Sequence, residues 1–564
     1  GCGALQANTS ADNNVAIGTW ALKSLTSGQR NTAVGAYAGR DVSTGEDNIT
    51  IGASTGYGIT TGDSNIALGN GTMGGVVTGN YNIALGKSSL NVLTSGAGNV
   101  AMGYYALSMT TTVSGNVAIG GSAGERLTNG SNNTYVGNNA GKGIYNSSYA
   151  ASSNVAVGNE SLGVISGVAN GNTAVGEYSL RTLSTGDYNV GIGANAGQLI
   201  TTGTRNIAIG KQALDAATSE NDNIAIGYDA LGGAVVGAEK NVAIGNYAMD
   251  AALTGDNSVA IGYAAGGAMT SAHSCVLIGH SAGVALTTGV RNVAIGFEAL
   301  KTNTTSGDNV AIGEDSLTLL STGSTANVAI GRRSGYRITA NATDNVFIGG
   351  YETGGNIASG DSNVIIGSFA GQNLNGASHS NVLIGYGAGS GGSTNAASQN
   401  HAIGYDALGA LTTGGKNIAI GYQSGNNITS GSNNVVIGNA DVASATADDQ
   451  LAISSGDGGV TWITGNAAGG INSKAEVVAV AGNTVLTLAQ TGSYVYWTSG
   501  TCTLPTSATV GSQFTVFNNT GGSATVALGT NNAIVSGWAG NAAVADHEAT
   551  SYICVAATKW VQVG

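Results

Sequence analysis

Asp546, His547 and Glu548 form the densest run of chemistry-bearing side chains in the C-terminal part of this 564-residue sequence. Two carboxylates flanking an imidazole could hold a metal ion or hydrogen-bond a sugar. Three consecutive polar residues read more simply as an exposed loop. Trp538, between Gly537 and Gly540, could stack on a glycan ring or pack into a core. Glycoside hydrolysis needs two carboxylates roughly 5–10 Å apart across a cleft. Residues 476–564 offer only Glu476, Asp546 and Glu548, and the acids upstream fall in turns. No Gly-x-Ser-x-Gly elbow, metal triad or phosphate loop stands out. We therefore expect no catalytic residue, no cofactor and no bound metal. Turns such as Thr61-Gly62-Asp63 lack the dense Asp and Gly-Gly spacing of calcium-binding rolls.

Other reactive side chains are few. Cys2, Cys275, Cys502 and Cys554 are too dispersed for a disulfide scaffold or a zinc site. Cys502 and Cys554 fall on expected strands of one domain, and sequence leaves a disulfide and two separate thiols both open. The 18 Lys and Arg are scattered in a chain of net charge −13, so there is no basic stripe for nucleic acid. No apolar run is long enough to span a membrane as a helix. Glycine takes 94 positions and proline one, without the Gly-X-Y spacing of collagen.

The elements that would position any such groups come from a repeat. The string Asn-Val-Ala-Ile-Gly, with variations, recurs 25 times between Gly18 and Gly438, mostly 17 or 18 residues apart. Its first slot is Asn in 23 motifs; Ser258 and Cys275 are the exceptions. The second is Val, Ile or Thr except at His401. The third is small, with larger residues at Tyr135, Leu277, Phe347, Ile365 and Leu383. Period-2 alternation of β-branched residues predicts a short strand. Slots two and four share one face, which we read as core-facing. The small third slot then faces a neighbouring chain. His401 reads as a hydrogen-bonded or partly exposed histidine near an irregular coil, and Cys275 as a buried small residue.

After the glycine comes x-x-Ala/Ser and then Leu/Met or Gly, another apolar residue three positions on, and a Thr/Ser-x-Gly turn. Seventeen residues cannot hold a strand, a useful helix and two turns, but they can hold two or three short strands. The expectation is an all-β, elongated β-solenoid or β-roll of about 26 coils. Asn14, Asn31, Asn48, Asn65, Asn172, Asn292 and Asn417 belong to a stacked ladder of side-chain amides. A coil this thin holds few interior side chains, which points to a homotrimer. Gly1 lies 17 residues before Gly18, so the sequence starts inside a repeat, and more chain is expected upstream.

The pattern divides the chain into a shaft (1–445), a connector (446–475) and a tip (476–564). In the tip, alternating segments near 476–481, 483–489, 493–498, 513–518, 523–528, 549–556 and 558–563 predict a small antiparallel β-sandwich.

Strings such as Asn31-Thr32-Ala33-Val34-Gly35 and Asn172-Thr173-Ala174-Val175-Gly176 resemble the YadA-like head repeats of trimeric autotransporter adhesins. They resemble still more the long arrays of bacteriophage tail fibres. The run Leu504-Pro505, Gly511-Ser512-Gln513-Phe514-Thr515-Val516 and Lys559-Trp560-Val561-Gln562-Val563 is similar to a domain at the ends of marine phage fibres. The resemblance implies trimeric β-rolls and a receptor-binding tip. It also implies a virion location, an upstream tail or baseplate attachment protein as partner, and a host-surface glycan or protein as receptor. Within that reading Trp538, Asp546, His547 and Glu548 are the receptor-binding candidates. The alternatives are a bacterial surface adhesin or extracellular filament subunit and, further off, a glycan depolymerase tailspike.

Overall fold

The computed structural model describes residues 1–470 apart from 145–148, 340, 375 and 393–396, and from 471 onward the backbone of the strands alone. It is all-β, with no helix among the described residues, and so none that could cross a membrane. The chain divides into two compact units: Gly1–Asn433 with Ser444–Ala447, and Asn434–Ala443 with Asp448–Gly564.

In the first unit, twenty-four three-residue strands run from β1 (Val15–Ile17) to β24 (Ile418–Ile420), one in each coil. Each lies parallel to the next with equivalent slots paired, as in Val15↔Thr32, Ala16↔Ala33 and Ile17↔Val34. At about 4.8 Å per strand this stack spans roughly 110 Å. Among the described residues the expected second and third strands are absent from most coils. Isolated bridges such as Ile59↔Val77 occur, and the rest of the circuit is turn. Hydrogen bonding between coils continues through these turns: the Leu22 N–H donates to Ala38 O at 3.0 Å and the Ser24 N–H to Arg40 O at 2.9 Å.

The strand faces are opposite to the sequence expectation. Ala33, Ala67, Ala84 and Ala101 in the third slot are completely buried. Slots two and four are half-buried or exposed, as at Ile49 and Ile51. His401 accordingly lies on the outside, exposed, and not in a core-facing slot. The physical reason is the turn that follows the strand. Leu22 and Leu25, four and seven residues after Gly18, fill the interior, leaving room for only an alanine methyl from the strand.

That rule explains the large third-slot residues. Beside Phe347, Gly335 and Gly354 stand where other coils have leucine, and a Cβ on either would press into the ring. Tyr135 lies likewise between Gly124 and Gly141, and Leu277 between Gly266 and Gly283. At these layers a large side chain from the strand is matched by glycine in the flanking turns.

The strand-ending glycine has its own cause. Gly210 adopts φ +132°, and a Cβ there would collide with the carbonyl oxygen of Gly227 on the next coil. The column recurs along the shaft because each glycine packs on the backbone of the next.

The second unit starts with one more repeat. Its strands β25 (Val435–Ile437) and β26 (Leu451–Ser454) are parallel and in register, and Gln450 occupies the Asn slot. The Gln450 N–H and Nε2 donate to Asn434 Oδ1 at 2.8 and 3.2 Å. β27 (Thr461–Gly465) and β28 (Ile471–Ser473) then continue antiparallel. The strands beyond mix directions: Val477–Val480, Tyr494–Trp497 and Gln513–Asn518 pair in parallel, and Gln513–Asn518 pairs antiparallel to Ala549–Ala556. The expected wholly antiparallel arrangement is thus replaced by parallel pairing in its first part.

Candidate binding surfaces

The Asn column is the most regular polar feature of the shaft, and it is closed to ligands. Asn31 Oδ1 accepts from the Asn48 N–H at 3.0 Å and from Asn48 Nδ2 at 3.1 Å. Asn48 Nδ2 also donates to Gly62 O, in the turn of the next coil, at 2.8 Å. A buried amide thus has both donors and its acceptor satisfied, which removes the cost of burying it. Asn65 and Asn172 repeat this pattern and Asn417 its donor half, while Asn14, half-buried at the first coil, and Asn292 donate to a turn carbonyl and accept the next Asn N–H. The pattern weakens at Ser258 and Cys275: the Cys275 N–H donates to Ser258 Oγ at 3.2 Å, and the thiol lies 3.5 Å from Gly289 O. Burial pushes the Cys275 thiol up, against the opposing pull of the Asn292 and Arg291 N–H groups.

Two further columns tie the turns. Threonine hydroxyls donate to the next coil, as from Thr201 Oγ1 to Thr218 O at 3.0 Å and Thr287 Oγ1 to Thr304 O at 2.9 Å. Acids and serines cap the preceding coil: Asp63 Oδ1 accepts the Glu46 N–H at 2.8 Å, and Asp256 Oδ1 the Glu239 N–H at 2.8 Å. Asp63 of the Thr-x-Gly-Asp turn therefore holds backbone. Cations pair across coils on the surface, as Arg30 with Asp47, Arg205 with Asp222 and Arg291 with Asp308, each at 2.6 Å. These hydrogen-bonded guanidinium groups hold the Asp47, Asp222 and Asp308 carboxyls below the usual carboxylate range.

Asp215, Asp229 and Asp250 approach one another on successive coils. Burial first, and the Asp229 charge second, raise Asp215 and Asp250. Among the described residues no cluster of three metal-ligating side chains has the geometry to hold an ion. Trp538, Asp546, His547, Glu548 and Glu476 lie outside the described residues. Cys502 and Cys554 fall on strands of two different sheets, Cys502–Thr503 and Ala549–Ala556.

The outer surface carries what sequence reasoning missed. Slots two and four make two apolar rows along the shaft, with members such as Ile119, Ile192, Ile330 and Ile420 more than a third exposed. Where the residue after the strand glycine is aromatic, a third row joins them. Tyr386, Tyr405 and Tyr422 stack with centroids 5.3 and 5.2 Å apart, and Tyr263, His280 and Phe297 at 5.1 and 5.3 Å. Aligning the coils on their glycine and reading the columns after it would have found these rows.

Concave sites are shallow. One groove of about 340 Å³ is lined by turn residues including Gln399, Lys416 and Asn433. Another, of about 390 Å³, lies among Tyr37, Arg40, Ser54 and Tyr57.

A scan of protein-family models, a search of curated proteins and a search of solved structures each return no match.

Proposed function

We propose that this chain is a structural and adhesive fibre protein of a bacteriophage tail, extracellular on the virion, which attaches the particle to a host-surface glycan or protein. In this reading the shaft assembles as a homotrimer, and residues 476–564 form a small β-sandwich tip that meets the receptor. The upstream partner is a tail or baseplate attachment protein.

The carrying observation is the pair of rows, mostly Val and Ile, on the outside of the strands from β1 to β24, with polar breaks at Thr32, Thr134, Thr173 and His401. A single coil leaves these rows in water, at roughly 25 cal/mol per Å² of apolar surface. A second and third copy have the same length, rise and pattern, so they can cover the rows along their length. The hydrogen-bonded columns supply stiffness, and a stiff multimeric rod suits attachment through many weak contacts.

Two measurements test the reading. Sedimentation equilibrium of the full chain is expected to give three chain masses, and replacing Val293 and Ile295 together by Ser should shift it toward one. A wild-type monomer would remove the trimer. Fluorescently labelled chain is expected to decorate intact bacteria and to compete with adsorption of phages grown on them. Antibody labelling of the producing cell's own surface, with no labelled virions, would replace the fibre by the adhesin or filament reading.

A further inference from the structure

The groove at Tyr37, Arg40, Ser54 and Tyr57 combines two tyrosine walls with an arginine held by its neighbour Asp41, a combination that returns where Arg333, paired with Glu352, lies over Tyr336 and Tyr351. Tyr37 and Ser54 stand two residues after a strand glycine, and Arg40 and Tyr57 five residues after one. The turns of successive coils therefore bring them together. The volume, about 390 Å³, falls within the ~300–1,000 Å³ of small-ligand sites. These residues lie on the turns, outside the Val and Ile rows.

The chemistry of the lining is specific. Trp20 meets Tyr37 edge to face at 5.0 Å and 84°, which fixes the Tyr37 ring while leaving a face for another partner. The Arg40 guanidinium lies 5.3 Å from the Tyr57 ring centroid. Its Nε and Nη2 donate to the two oxygens of Asp41 at 2.8 and 2.6 Å. That fork leaves Nη1 to donate and the remaining carboxylate lone pairs to accept. The Arg40–Asp41 pair carries no net charge, so an anion gains little from it. Neighbouring hydroxyls, each both donor and acceptor, match it, and the axial C–H groups of a sugar ring suit the electron-rich face of a tyrosine.

We propose that this groove binds a neutral hexose unit of a surface glycan, its ring against tyrosine and its hydroxyls on Arg40, Ser54 and the adjoining Asp41. The proposal rests on the adhesive reading and places a glycan contact on the shaft. Related aromatic and cationic pairs occupy the same two columns elsewhere. Lys23 lies 4.8 Å from the Trp20 ring, Arg181 5.1 Å from Tyr178 and Arg333 4.4 Å from Tyr336. Weak sugar contacts repeated along one rod would add through avidity.

Saturation-transfer NMR on the full chain with maltose, cellobiose, lactose and chitobiose tests this. Transfer to at least one disaccharide is expected. It should fall at least five-fold in Tyr57→Ala and in Arg40→Gln, and persist in Tyr57→Phe and in Tyr422→Ala, an exposed ring elsewhere. No transfer to any of the four overturns the proposal. So does undiminished transfer in a Tyr37→Ala/Tyr57→Ala chain that melts like wild type, or tenfold preference for sialyllactose over lactose. Cell attachment is read separately. A chain that decorates cells without any sugar signal overturns this site and leaves the adhesive reading. A Tyr57-dependent sugar signal without decoration upholds the site and removes that reading.

Discussion

The layers around Ala101 and those around Phe347 fill the same narrow interior from opposite sides. At Ala101 the strand contributes a methyl, and the turns contribute Leu90 and Leu107, all completely buried. At Phe347 the strand contributes an aromatic ring, and the turns retreat to Gly335 and Gly354. Backbone register and the Asn column are the same in both, since Ala101↔Ala118 and Ala329↔Phe347 pair alike. The coil circuit is thus fixed by main-chain and amide hydrogen bonds, while side-chain volume is exchangeable between strand and turn. This separates what must recur in every coil from what can drift in pairs.

The strongest test of that exchange is to break one half of it. Phe347→Ala should cost about 3–5 kcal/mol, because two glycines cannot refill the space left by a ring. Adding Gly335→Leu should return a large part of the loss, since leucine already tolerates this left-handed backbone at Leu317, φ 48°. Urea unfolding of the coils around β20 (Val346–Ile348), followed by amide exchange, reads both. If the second change deepens the loss, volume is not what the two positions share.

Next in size is the amide column, which the two layer types have in common. Asn99 Oδ1 accepts the Asn116 N–H at 3.1 Å, and its Nδ2 donates to Val113 O at 2.8 Å. The corresponding distances for Asn345, to Asn363 N–H and Gly360 O, are 3.0 and 2.8 Å. Either Asn→Ala change leaves a buried N–H and a buried carbonyl unpaired, at about 1–3 kcal/mol each. Equal losses are expected at Asn99 and Asn345, with faster local amide exchange in each case. A clearly larger loss at one site would mean that the column and the interior packing are coupled.

These layers also show what was legible in the sequence. Period, strand position and register were open to view, because one slot returns every 17 or 18 residues and parallel stacking follows. Inside and outside were not. Three residues of alternation define two faces but carry no sign, and the sign is set by Leu22 and Leu25 from the following turn. The Leu/Gly choice four residues after the strand glycine was visible as a pattern. Its meaning needed the neighbouring coil, since Gly335 answers to a residue twelve positions later. Tyr37 and Tyr57 were invisible as a pair for the same reason: they meet across coils at columns outside the repeated string. The tip candidates Trp538, Asp546, His547 and Glu548 rest on sequence alone.

The smallest effect concerns the one stretch where the shared scaffold itself changes. Ser258 and Cys275 replace two successive asparagines, next to the large third-slot residue Leu277. Cys275→Asn would supply a carbonyl for the Asn292 N–H and an amide for Gly289 O, where the thiol now sits at 3.5 Å. Its second amide hydrogen would face Ser258 Oγ, which already accepts the Cys275 N–H. Restoring these bonds should stabilise the coil by about 1 kcal/mol, read as slower exchange of the Val293 and Val276 amides. The same substitution beside an alanine layer, in a Cys275→Asn/Leu277→Ala chain, separates two causes of the break. A gain only in the double variant would mean that Leu277 crowds the amide, so that volume and ladder trade against each other at this layer. A gain in both would make Cys275 a replacement that the packing merely tolerates, and would keep the two halves of the scaffold independent along the whole shaft.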